Sequence, residues 1–191
     1  MKKIISLSRI ILGAGLLMFT LNSCKNEPKK EDPKEVAEDA NDEKFDNDAV
    51  EDDAQYLTDA AEILLSEIEI GKLGLAKSSN PEVKKFAQAL VTDHTKGLEE
   101  LNALANKKTI SIPSAVTDEG RDEYEKLDKY NAAEFDKKFI DLTTDDHEKG
   151  VDKMTEIAQK ATDADIKSWA SRQITVMLQH HEIVKKLDEK K

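Results

Sequence analysis

Four stretches of this chain repeat apolar residues at helical spacing, and that repetition limits the fold more than any other feature. Over residues 50–78, Val50, Leu57, Leu64 and Gly71 recur every seven positions, interleaved with Ala54, Ala61, Ile68 and Leu75. Asn80-Pro81 then reads as an N-cap followed by proline at the first helical position, opening a helix to about residue 107. Its inward set is Val83, Phe86, Leu90, Leu101 and Leu104. Residues 110–113 break the pattern, and a connection with a short helix over 119–130 leads into a third long helix over 132–161. Phe135, Phe139, Leu142, Met154 and Ile157 share one side of it. Thr162 or Asp163 caps a fourth helix carrying Ile166, Trp169, Ala170, Ile174, Met177, Val184 and Leu187. Each apolar face is too wide for a lone helix in water, so the expected fold is all-α, a four-helix bundle with a short extra helix between helices 2 and 3. Nine aromatics, seven glycines and four prolines in 191 residues are too few for a sandwich or barrel.

The N-terminus stands apart from the bundle. Lys2, Lys3 and Arg9 precede an apolar run over 10–21, which has the length of a secretory h-region and is short for a bilayer span. The run ends in Leu21-Asn22-Ser23-Cys24, which resembles the lipobox of bacterial lipoproteins. Residues 1–23 are therefore expected to be a lipoprotein signal peptide, with Cys24 the lipidated residue. Cys24 is the only cysteine, so no internal disulfide competes for it. An acyl anchor there makes the membrane a partner without a spanning helix. Residues 24–49 are so rich in Lys, Glu, Asp and Asn that burial offers little to offset chain entropy, and they are expected to be a disordered acidic tether. The bundle domain is then 50–191. A net charge of −11 argues against nucleic acid as a partner.

The informative question is which polar residues fall inside the apolar arcs. At 100° per residue, Glu67 lies within the arc of the first helix, while Glu62 and Glu69 fall outside. His94 lies near the centre of the second arc, with Asp93 at its edge. In the third helix, His147 and Asp146 fall within the arc and Asp145 and Glu148 outside, whereas His180 and His181 flank the middle of the fourth. Glu67 and His94 lie about 18 and 22 Å from the first interhelical turn, and His147 and His181 about 22 and 28 Å from the second. These groups converge near mid-bundle whether the turns share an end or the middle connection crosses the bundle. Glu67, His94, His147 and His181 thus form the candidate metal ligand set, with Asp93, Asp146 and His180 as supporting groups. Histidine-rich ligation with one carboxylate suits zinc, copper, nickel or iron(II). A di-iron Glu-x-x-His motif is absent, since Val91, Thr144 and Leu178 stand three residues before His94, His147 and His181. No Gly-rich phosphate loop and no Gly-x-Ser-x-Gly elbow occurs, so no catalytic residue is assigned.

The motifs also carry a family resemblance. Glu67-Ile-Glu-Ile-Gly71, Asn80-Pro-Glu-Val-Lys-Lys-Phe86, Asp93-His94-Thr-Lys96, Phe135-Asp136, Asp146-His147-Glu148 and the late His181 resemble the bacterial envelope family called domain of unknown function 4142. The resemblance implies a ferritin-like helical bundle, secreted or attached to the outer membrane facing the periplasm, with no established activity. It implies His94, His147 and His181 as the motif histidines and Glu67 as the acidic position before the glycine; His180 is a position that the family does not fix. The chain departs from the family by having no proline in Ile174-Thr-Val-Met-Leu178. Two readings of function remain open: an envelope-anchored structural or stress-related interaction module whose protein partners the sequence does not name, or a metal-binding bundle with a Glu/His cluster at its centre.

Overall fold

The structure, a computed structural model, describes residues 31–189. The expected signal segment and Cys24 lie outside the described residues. The described residues form six helices: α1 (Pro33–Asp42), α2 (Asp48–Lys77), α3 (Pro81–Lys108), α4 (Asp118–Asp128), α5 (Ala132–Lys160) and α6 (Ala164–Asp188). Each start carries its own stop signal for the preceding coil. Asn47, Asn80, Thr117, Asn131 and Asp163 accept hydrogen bonds from first-turn amides of α2 to α6, and Pro81 follows the cap of α3. Every long helix predicted from periodicity is present, and the fold is all-α.

The direction of the helices follows from which ends share a core. Leu57, Leu64, Leu101, Met154, Ile157, Ile166 and Trp169 pack at one end, uniting the start of α2, the end of α3, the end of α5 and the start of α6. Val83, Phe86, Phe135, Phe139, Val184 and Leu187 pack at the other. The α2–α3 and α5–α6 turns therefore lie at opposite ends, and the segment joining α3 to α5 crosses the length of the bundle. α4 makes that crossing along α2, with Gly120 against Ser66 and, further on, Lys77 bonded to Asp128 at 3.0 Å. At the far end Asp53 of α2 closes the α5–α6 turn, accepting from Thr162 N–H at 2.8 Å, Thr162 O–H at 2.7 Å and Asp163 N–H at 2.9 Å. No helix among the described residues is long and apolar enough to cross a membrane.

One expectation needs correction. Within residues 24–49, read as a disordered tether, the structure places α1 folded onto α2. Ala37 is buried, and Lys34 Nζ pairs with Glu62 at 2.6 Å and Asp59 at 3.0 Å. Asn41 and Ser111 exchange two hydrogen bonds, the Asn41 amide donating to the Ser111 carbonyl at 2.9 Å and Ser111 N–H donating back at 2.7 Å. The helix is held by polar contacts that an estimate based on apolar burial overlooks. The folded unit thus begins before Val50.

Candidate metal centre

Between the two apolar clusters the bundle carries a polar layer. Gly97 and Gly150 stand one turn beyond His94 and His147 and bring the helices close. A Cβ on Gly150 would lie 2.8 Å from Met177 Sδ, and one on Gly97 would lie 2.8 Å from Gln173 Oε1. At this level α3, α5 and α6 each contribute one histidine: His94, His147 and His180, with 0%, 1% and 2% exposure. Their ring centroids form a near-equilateral triangle, 5.0 Å for His94–His180, 5.3 Å for His147–His180 and 5.6 Å for His94–His147. One nitrogen from each ring lies within 4.8 Å of the other two, the only such set of His, Cys, Asp or Glu among the described residues. The Phe86 ring covers His147 and His180 from the second cluster, at 6.2 and 6.1 Å.

Hydrogen bonds fix which nitrogens face inward. His147 Nδ1–H donates to the Thr143 carbonyl at 2.7 Å, an oxygen that can only accept, so Nε2 carries the lone pair in the neutral ring. On the outer edge of His180, Nε2–H donates to the Asp93 carboxylate at 3.0 Å, which leaves Nδ1 as the lone-pair nitrogen. His147 Nε2 and His180 Nδ1 then face each other at 3.3 Å with no proton between them. Neither nitrogen of His94 has a hydrogen-bond partner. A buried polar atom left in this way costs about 1–3 kcal/mol. An added proton is a poor remedy. Burial drives the His94 ring well below the usual histidine range, holds His147 down at about 3 and lowers His180. A metal ion is a better one, since two nitrogens bound tetrahedrally to one zinc at about 2.0–2.1 Å stand roughly 3.3–3.4 Å apart.

The expected ligands divide. His94 and His147 are in place. His181 is not: it points to the α5–α6 surface, where Nε2 lies 3.1 Å from Glu148 Oε1. His180, expected as a supporting group, takes the inward position. Glu67 is buried at 4% exposure but sits behind His147, with Oε1 3.3 Å from Nδ1, on the side of the ring away from the triangle. It is a neighbour of a ligand and not itself in the triangle, since the Nδ1 proton goes to the Thr143 carbonyl. Burial, then the charges of Asp146 and Glu123, push the Glu67 carboxyl well above its ordinary range. Asp93 lies at the outer edge of His180, accepting from Nε2–H at 3.0 Å. Asp146 touches no ring and pairs with Lys149 at 3.7 Å, its carboxyl pushed up to about 7 by burial and by Glu123. Sequence reasoning missed Thr143, whose carbonyl fixes His147. That role belongs to the backbone and leaves no mark in residue type.

Comparison with known proteins agrees with this architecture. The family described as Domain of unknown function (DUF4142) matches residues 35–187. A solved structure described as "Crystal structure of DUF305 fragment from Deinococcus radiodurans" is similar in fold, with a TM-score of 0.63 at 10% identity, covering 71% of this chain and 93% of that one. No curated protein matches the chain in sequence.

Proposed function

This chain belongs to the family described as Domain of unknown function (DUF4142), whose description assigns no chemistry, and from its own geometry we propose that it is a metal-binding helical bundle. The ligands are His94, His147 and His180, and the metal is one of the imidazole-seeking first-row ions, zinc, copper, nickel or iron(II). The observation that carries this reading is the 3.3 Å approach of His147 Nε2 to His180 Nδ1 while the opposite edge of each ring is committed as a donor. Thr143 and Asp93 hold the rings for the ion, Glu67 lies against the outer edge of His147, and Phe86 keeps water from it. A ring set buried to this degree favours retention of an ion over turnover at an open position. Attachment of the bundle to a membrane through a lipid on Cys24 belongs to the same proposal and rests on Leu21-Asn22-Ser23-Cys24, while the outer membrane is what the family resemblance implies.

The test is stoichiometry together with stability. Protein stripped with chelator and reloaded with zinc or copper should hold one ion per chain. At a hundredfold excess over Kd the gain is about 2.7 kcal/mol, or roughly 5–10 °C in Tm for a domain of this size. His94→Ala/His147→Ala should lose both the ion and the shift while keeping its helical circular dichroism. Equal metal content and equal stabilisation in that variant would assign the histidines to the core and the ion to the surface.

A further inference from the structure

A cavity lies on the other side of Glu67, between α2, α4 and α5. Gly120 brings α4 onto α2, since a Cβ there would stand 3.2 Å from both Cβ and Oγ of Ser66. The resulting space, about 130 Å³, is lined by Glu62, Ser66, Glu67, Glu119, Glu123 and Asp146. Ser66 Oγ–H donates to Glu123 Oε2 at 3.2 Å, and the one cation in the lining, Lys149, stands 3.7 Å from Asp146 with its side chain 75% exposed. Acidic surfaces are common and solvated, but Glu67 sets this one apart. Its side chain is 5% exposed, Oε1 is turned to His147, and the buried Oε2 has no hydrogen-bond partner.

We propose that this cavity binds one hard divalent cation through Glu67 Oε2, with Asp146 and Glu123 completing the carboxylate set. Oxygen donors alone select ions of the calcium, magnesium and manganese kind over those that seek imidazole. The space holds the ion together with water, each water taking about 30 Å³. Among the described residues only the three histidines draw their donor atoms within 4.8 Å, so the carboxylates stand further apart and water has to complete the shell. The affinity is accordingly that of loosely built sites, ~10⁻⁴–10⁻³ M. Glu67 would then face a ligated ring with one oxygen and a second ion with the other.

Calcium and manganese are the probes, titrated by calorimetry and by manganese paramagnetic resonance into the full chain stripped of transition metal. The same titration into His94→Ala/His147→Ala separates this site from the histidine centre. One ion per chain is expected in both proteins, with affinity at least tenfold weaker in Glu67→Gln and in Glu123→Gln. Glu123 lies on the short α4 and contacts no histidine, so it decides the matter if Glu67→Gln loses its helical circular dichroism. Three results would overturn the site: no saturable binding at ~10 mM, well above the expected range; unchanged affinity in Glu123→Gln; or binding that disappears with the histidines.

Discussion

His180 stands in the buried stripe of α6, which runs Trp169, Gln173, Met177, His180, Val184 and Leu187 at steps of three and four. His181 is one step round the helix and meets Glu148, a surface residue with its side chain 57% exposed. Alanine at 180 should therefore abolish stoichiometric metal binding, whereas alanine at 181 should leave it intact, as read by metal analysis of the two purified variants. The reverse order would return His181 to the ligand set. The choice between these neighbours was open in the sequence, because at 100° per residue they flank the centre of the arc on opposite sides. The family resemblance favoured 181, while the three-and-four spacing that passes through 180 carried the better signal. His94 and His147 were legible because each is a lone histidine inside its arc. Glu67 was legible as inward, but periodicity places a residue on a face and says nothing of which edge of a neighbouring ring it meets.

Asp59 shows how α1 is held at the level of elements. Its carboxylate lies 3.0 Å from Lys34 of α1 and 3.2 Å from Lys153 of α5, and it accepts from Gln55 at 3.0 Å. Burial alone would raise its carboxyl, yet the hydrogen bonds from Lys34 and Gln55 and the two lysine charges outweigh that and hold it below the ordinary aspartate value. Because the folded-state value is depressed, the contribution is complete above pH ~4 and is lost as pH falls through the folded value. The stability gap between wild type and Asp59→Asn should be constant near neutrality and should close at lower pH, followed by urea unfolding across that range. A gap that widens in acid would contradict the pairing. Although the tether reading passed over it, the start signal of α1, Asp32 as cap to Lys34 N–H at 2.7 Å followed by Pro33, was present in the sequence. Its docking was not, because Lys34, Asn41 and their partners Asp59, Glu62 and Ser111 are far apart in the chain and polar.

For the whole molecule, the crossing connection decides which ends meet, and Asp53 records the outcome. Three donors from the α5–α6 turn converge on its carboxylate, which is 5% exposed, so Asp53→Ala should cost about 2–3 kcal/mol and leave two turn amides without partners. A loss under about 0.5 kcal/mol, the scale of an ordinary surface change, would contradict that packing. Apart from α1, which was missed, helix number, lengths and inward faces could be read from the spacing of apolar residues. Direction could not, because α2, α3 and α5 are of nearly equal length, 30, 28 and 29 residues, and a mid-bundle group sits at the same height in either topology. The contacts that settle it, Asp53 with Thr162 and Lys77 with Asp128, join residues 109 and 51 positions apart.

The central claim, that three histidines from three helices hold one metal ion, is tested most directly by anomalous diffraction from crystals of the zinc-loaded protein. One peak is predicted between α3, α5 and α6, about 2.0–2.1 Å from His147 Nε2, His180 Nδ1 and a ring nitrogen of His94. Zinc found only at the surface pair His181–Glu148, or an ordered histidine triangle with no peak at its centre under saturating zinc, would contradict it.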